Sequence, residues 1–252
     1  MVTGLYIVRE SMLRSWLKTI RRPVPLTFSF VQPLFWMLIF GFLFHRFTLG
    51  SAYAGLSYLD FLLPGICAMT VLFGASQAGI AIVHDLQTGF LQRMVRSTRR
   101  PVWILAGKTV AEVTRLLLQA FVVALLGIAL GARVWIYPLA LLVALVALAL
   151  FALAYASLSC WVALETKAQE SMAVFVHVVN IPLLFTSTAL VPSSQMPTWL
   201  EMVARWNPLS LVANGLREAL VLGQVPDAAN LFPLLAISAG LFALASRTIG
   251  KD

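Results

Sequence analysis

Between Arg133 and Glu165 the chain runs for 31 residues, Val134 to Leu164, without a charged side chain. A hydrocarbon core about 30 Å thick is crossed by roughly 20 apolar helical residues, or by strands of about 9–11 residues. Inside it every backbone group must be satisfied by the spanning structure itself, which leaves helices and closed barrels. A run this long is a helix with length to spare for tilt. Other apolar runs follow the same rule: Val24–Phe44, Phe61–Val83, a third starting near Lys108 with Glu112 and Arg115 at its inner end, then Ser171–Val191 and Ala228–Ser246. A mean hydropathy of +0.90 with 11% charged residues excludes an ordinary soluble domain, which is about a quarter charged. The expected fold is an all-α integral membrane protein with six transmembrane helices, residues 24–250 forming the membrane domain.

Residues 1–23 lack the apolar core of a secretory signal and carry Arg9, Arg14, Lys18, Arg21 and Arg22. At helical spacing Leu5, Val8, Met12, Leu13, Trp16, Leu17 and Ile20 share one arc, with Glu10, Arg14, Lys18 and Arg21 turned away. Arg9 falls inside the apolar arc and is expected to snorkel. This predicts an amphipathic helix lying at the interface and ended by Pro23 and Pro25. With that helix in the cytoplasm, fourteen of the 18 Lys and Arg fall on its side of the membrane and four on the other. The positive-inside rule therefore places both termini in the cytoplasm. The net charge of +8 and pI near 10.1 follow from these loops and do not point to nucleic acid, because the basic residues flank spans instead of lining one soluble face.

The connection between the second and third spans, residues 84–107, gathers Arg93, Arg96, Arg99 and Arg100. Phe90, Leu91 and Met94 fall on one side and Gln87, Arg93, Arg96 and Arg100 elsewhere, the pattern of a short basic amphipathic helix. Residues 191–226 connect the fifth and sixth spans. Their apolar residues predict short re-entrant helices dipping into the outer leaflet, punctuated by Pro197, Asn207 and Pro208. Within the spans, His177 and Asn180 are three apart and are expected to share a face. Intramembrane polar groups are default candidates for a substrate path, with interhelical hydrogen bonding as the competing reading; Gln77 is of the same kind. Gly127 and Gly131 form GxxxG, a close-packing signal. Glu112 and Arg115 read as an ion pair, and Glu165, Lys167 and Glu170 as a solvated turn. Cys67 and Cys160 lack metal-ligand or CxxC spacing and read as packing residues. Gly107-Lys108-Thr109 imitates the end of a Walker A loop, but the motif requires glycine where Val102 stands, so no ATP site of this kind is expected.

In order along the chain, the basic N-terminal helix, YLDFLLPGI from Tyr58, HDLQTGFLQRM from His84, GKTVAE from Gly107 and VPSSQMPTWLEMVARWNPLSLVANGLREALVLG from Val191 resemble the permease subunits of ABC-2 type exporters. That family includes daunorubicin-resistance-like drug exporters and exporters of polysaccharides and lipids. The chain departs from its pattern at Leu86-Gln87-Thr88, where acidic residues are usual, and in having Pro101 as the nearest proline to Thr98. The resemblance implies a permease that pairs with a second copy or a homologous permease and sits on two cytosolic ATPase subunits, which hold the ATP and Mg; this chain itself is expected to bind no cofactor and no metal. It implies that Arg14, Lys18, Asp85, Gly89, Arg93 and Arg96 receive the ATPase motion. It also implies that Pro197, Trp199, Asn207, Pro208 and Arg217 shape an external gate.

The function expected is export of a drug-like or antibiotic hydrophobic compound across a plasma membrane, in a bacterium. Export of a lipid or lipid-linked glycan is the alternative in the same class, and a non-transporting assembly factor the alternative outside it. An intramembrane enzyme is disfavoured, since His177 has no acidic partner within a turn and Glu112 has no second carboxylate nearby.

Overall fold

The computed structural model describes residues 4–20, 23–46, 49, 53, 55–97 and 101–249. Arg21, Arg22, Arg99 and Arg100, and the side chain of Lys18, lie outside the described set. Among the described residues the structure is helical with no strand. The elements are α1 (Gly4–Ile20), α2 (Pro23–Leu43), α3 (Tyr58–Gln87), α4 (Phe90–Arg96), α5 (Val102–Ala129), α6 (Pro138–Thr166), α7 (Gln169–Phe175), a π turn (Val176–Asn180), α8 (Ile181–Phe185), α9 (Thr198–Trp206), α10 (Pro208–Leu220) and α11 (Leu231–Thr248).

Among the described residues, four helices are long and apolar enough to cross a bilayer: α3, α5, α6 and the segment Ala228–Thr248 that contains α11. The described apolar parts of the other two expected spans are shorter, Phe30–Leu43 and Gln169–Phe185. At 1.5 Å per residue, the 30 residues of α3 extend about 45 Å, beyond both edges of a typical hydrocarbon core. α3 is also the centre of the bundle, packed against α2, α5, α6 and α10. Its most apolar window is 72% buried, against 17% for α11 at the periphery.

Local chemistry explains where α3 begins and ends. Ser57 caps it: the Ser57 hydroxyl accepts from the Asp60 amide at 3.1 Å, and the Asp60 carboxylate accepts from the Ser57 amide at 2.8 Å, a reciprocal capping box. At the other end Gly89 takes φ +67°, a left-handed conformation that side chains resist, and this turns the chain into α4.

Small residues set the helix spacing. A Cβ at Gly127 would strike the Leu63 side chain, so this glycine brings α5 close to α3 within one chain. Gly131, the second glycine of GxxxG, has φ +103° and open space around it. It closes the end of α5 and is not a packing residue. The expected common face of His177 and Asn180 is also corrected. They lie on a π turn, whose i→i+5 bonding widens the turn; His177 is exposed with its ring against the Ala173 carbonyl, while Asn180 is fully buried. Pro182 follows two residues later and lacks an amide to continue the α ladder.

Candidate functional site

The expected coupling residues gather where α1, α4 and the first turns of α5 meet. α1 crosses α5 at Gly107: a Cβ there would lie 2.7 Å from the Ser11 Cβ and 2.7 Å from the Val8 carbonyl oxygen. The Trp16 indole donates to the Thr114 hydroxyl at 3.2 Å and holds the same two helices further along. Burial on α1 is therefore centred on Ser11, leaving Tyr6, Leu13 and Leu17 about half exposed. Arg9 is exposed, and Arg14, expected to turn away, instead stacks its guanidinium 3.1 Å from the Phe90 ring centroid. That cation–π contact ties the N-terminal helix to the connector.

Asp85 occupies a different layer from the arginines. Its carboxylate, at the C-terminal end of α3, is buried and ion-paired to Lys108 of α5. The apparent phosphate-loop sequence thus resolves into two structural tasks, Gly107 for helix crossing and Lys108 for this pair. Gln92 donates from its side chain to the Leu86 carbonyl at 3.3 Å and braces α4 under α3. Leu91 is buried, while Arg93 and Arg96 are exposed. Among its described residues the connector thus presents two exposed positive charges on a platform held from behind. On the neighbouring turn Gln169 donates to Gln87 at 3.1 Å and Glu165 accepts from Thr248 at 3.3 Å.

Along the middle of α3 lies a buried polar network. Asn180 donates to the Ser76 hydroxyl at 2.8 Å and accepts from the Tyr155 hydroxyl at 3.0 Å. Ser159 donates to the Ser76 carbonyl at 2.9 Å and accepts from the Gly79 amide at 3.0 Å. Arg115 binds Glu112, the Gln119 side chain at 3.3 Å and the Gly74 carbonyl at 3.2 Å. Of the residues singled out for a substrate path, Asn180 belongs to this network, whereas Gln77 points out of α3 and His177 out of the π turn.

At the far end of the bundle, Asn207 caps α10, its side-chain oxygen accepting from the Leu209 amide at 2.9 Å. Its amide group reaches back to the Leu183 carbonyl at 2.8 Å and the Thr186 hydroxyl at 3.1 Å. Pro208 opens α10, and Pro197 is the N-cap position of α9. Trp199, Met202, Val203 and Trp206 form an exposed apolar stripe on α9 at i, i+3, i+4, i+7 spacing. Arg217 is only 1% exposed. Its guanidinium donates to the Phe61 carbonyl at 3.2 Å, the Asn214 side-chain oxygen at 2.7 Å and the Thr188 carbonyl at 3.0 Å, and stands over the Phe61 ring. Burial lowers its pKa to about 10, against the opposing pull of the Tyr53 and Tyr58 hydroxyls; at neutral pH it remains a cation.

Arg217 is one of three tethers to the first turn of α3. Tyr58 donates to the Leu190 carbonyl at 2.8 Å, and the Asp60 carboxylate accepts from the Arg133 amide at 2.6 Å. The segment YLDF thus anchors the chain before α9, the α5–α6 loop and α10. Sequence reading singled out Arg217 but passed over Asp60, Thr188 and Asn214, whose partners lie 22 to 73 residues away.

This is a multi-pass helical membrane protein with a basic platform at one end, a capped pair of short helices at the other, and one long central helix joining them. The chain belongs to the ABC-2 type transporter family, whose model matches residues 8–221. It is 31% identical over 213 residues to transport permease ycf38 of Porphyra purpurea, covering 84% of this chain and 71% of that one. It is 28% identical over 220 residues to ycf38 of Cyanophora paradoxa, 86% and 76% of the two chains. To the daunorubicin resistance ABC transporter permease protein DrrB1 of Streptomyces coeruleorubidus it is 27% identical over 227 residues, 88% and 77% of the two chains.

Proposed function

We propose that this chain is the membrane-spanning permease subunit of an ATP-binding cassette exporter that moves drug-like, hydrophobic compounds outward. In this reading six helices span the plasma membrane, α2 and α7–α8 among them, with both termini in the cytoplasm. Two copies of a separate cytosolic ATPase bind ATP and Mg. A second permease, identical or homologous, completes the complex. The family membership and the name of the daunorubicin resistance relative support this class of activity.

The observation that carries the reading is the platform of α1, α4 and α5. A topology anchor needs only charge; here the charges of Arg93 and Arg96 stand on a helix braced by Gln92 and Arg14, next to the Asp85–Lys108 pair that joins α3 to α5. Such bracing suits a surface that receives a push. Asp85 and Gly89 shape the connector, while Arg93, Arg96, Arg14 and Lys18 meet or position the ATPase. Pro197, Trp199, Asn207, Pro208 and Arg217 organise the external gate, and Gln77, His177 and Asn180 border the cargo path.

The test is ATP hydrolysis by the complex co-purified in lipid, with and without candidate drugs, for wild type and Arg93→Ala/Arg96→Ala. These side chains are exposed, so the variant leaves the buried supports in place. Stimulation by a drug that disappears in an assembled variant complex supports coupling through α4. Unchanged stimulation, or no co-purifying ATPase, overturns it.

A further inference from the structure

From Ala173 to Phe185 the exposed residues are apolar with one exception: His177 stands out among Ala173, Val174, Val178 and Ile181. Its depth follows from two contacts. Gln169 meets Gln87 and Asn180 meets Ser76, eleven residues apart on either helix, so α7 and the π turn run in step against α3. His177 lies eight residues beyond Gln169, about 12 Å along the helix at 1.5 Å per residue, level with Gly79 and within a turn of the exposed Gln77.

The π turn puts it there. Under i→i+4 bonding residues 177 and 180 would share a face; the wider turn keeps Asn180 inside the bundle and leaves His177 outside. The ring is also fixed chemically. Its Nδ1 is 2.8 Å from the Ala173 carbonyl oxygen. A carbonyl can only accept, so Nδ1 carries the proton, and Nε2 of the neutral ring is a bare acceptor. Among the described residues no hydrogen bond reaches Nε2. A bare polar atom facing hydrocarbon is costly, and an ionisable side chain in a span marks a functional site by default. What answers it must donate a hydrogen bond. A hydroxyl, a phenol or an amine does so, whereas an ether or an ester does not.

We propose that Nε2 of His177 receives a hydrogen-bond donor of the cargo, so that the hydrophobic compounds moved outward are those bearing a hydroxyl, phenol or amine. This rests on the cargo path described under the proposed function, but binding at His177 is measurable without transport.

The experiment treats the full-length protein in lipid nanodiscs briefly with diethyl pyrocarbonate, which acylates bare imidazole nitrogens, and reads each histidine by peptide mass spectrometry. The probes are 2-naphthol and 2-methoxynaphthalene, one ring system with and without a donor. Naphthol should protect His177 saturably. The methyl ether should need about tenfold more for the same protection, the difference that one hydrogen bond makes. His45 and His84, outside this segment, should react alike with either probe present. Equal protection of His177 by the two probes overturns the proposal, and so does protection by neither. A His177 that fails to react without any probe overturns it as well, because a second permease then covers the nitrogen. Drug-stimulated ATP hydrolysis without naphthol protection would remove this site and leave the export reading standing; protection without stimulation would do the reverse.

Discussion

Replacing Gly107 by valine tests whether the N-terminal helix is held by contact with α5 or merely lies near it. The added Cβ would stand 2.7 Å from Ser11 and Val8, where ordinary contact begins near 3.4 Å. The neighbours on α1 are a backbone carbonyl and the Cβ of a short side chain, which cannot swing aside, so α1 must retreat by about 0.7 Å along the crossing. Overpacking of this kind costs about 1–3 kcal/mol, and valine's better helix propensity than glycine returns a few tenths. A net loss of about 2 kcal/mol weakens α1 docking roughly 30-fold. Tryptic cleavage of the purified protein reads this directly, because Arg9 is exposed whereas Arg14 is held over Phe90. The ratio of cleavage at Arg14 to cleavage at Arg9 should rise in Gly107→Val. Gly240→Val is the control, since a Cβ at Gly240 meets nothing within 4 Å, and it should leave the ratio unchanged. An unaltered ratio in a folded Gly107→Val protein would falsify the docking geometry.

Asp85→Asn leaves Lys108 without its buried partner and should cost up to about 3 kcal/mol, whereas Asp85→Asn/Lys108→Met should cost less than the two single changes together; unfolding titrations of the four proteins decide it, and simple additivity would contradict the pair. Asn180→Leu removes two interhelical hydrogen bonds, each worth about 0.6 kcal/mol on average in a membrane, so denaturation in mixed micelles should show a loss of about 1–2 kcal/mol, with no loss indicating that the network carries no stability. Gly65→Ala should be more damaging than Gly107→Val, because its Cβ meets the Ala189 backbone carbonyl, and the same unfolding assay compares them. An environment-sensitive dye on Trp206→Cys, a position 80% exposed, should emit further to the blue in lipid nanodiscs than the free dye–cysteine conjugate does in buffer if α9 lies on the bilayer, and a water-like spectrum there would place the stripe elsewhere.

Length and apolarity made the long helices legible, because a span of 28 to 30 residues such as α3, α5 or α6 has one physical solution in lipid. The connector was legible too: Phe90, Leu91 and Met94 against Arg93 and Arg96 is a periodic pattern, and α4 follows it. Local periodicity failed at the π turn. His177 and Asn180 are a helical neighbour pair only if the bonding is i→i+4, and Pro182 together with the bonds from Asn180 to Ser76 and Tyr155 changes it. Long-range partners were invisible for the same reason. The sequence around Lys108 excluded a phosphate loop but carries no sign of Asp85, and nothing near Arg217 in sequence announces the carbonyls of Phe61 and Thr188. Gly127 and Gly131 differ in φ and in what lies over them, neither of which spacing encodes.

The contrast between α3 and the α7–α8 segment bears on how a push at one end could be felt at the other. α3 is tethered at its C-terminal end through Asp85 and at its N-terminal end through Tyr58, Asp60 and the Phe61 carbonyl, with one helix between. A helix this long resists compression, so in the proposed cycle displacement of α4 is passed along α3 to three gate segments at once. The chain of α7, π turn and α8 is interrupted where it touches α3, at Asn180, and π turns are often sites of function. Its bonds to Ser76 and Tyr155 are few and individually weak. Relative motion between α3 and its neighbours is therefore expected to break first at that polar network, leaving the clamp around Arg217 to travel with α3. In the proposed cycle this division gives the buried network a mechanical part to play beside the cargo path, which would account for a polar cluster in the best-packed stretch of the bundle.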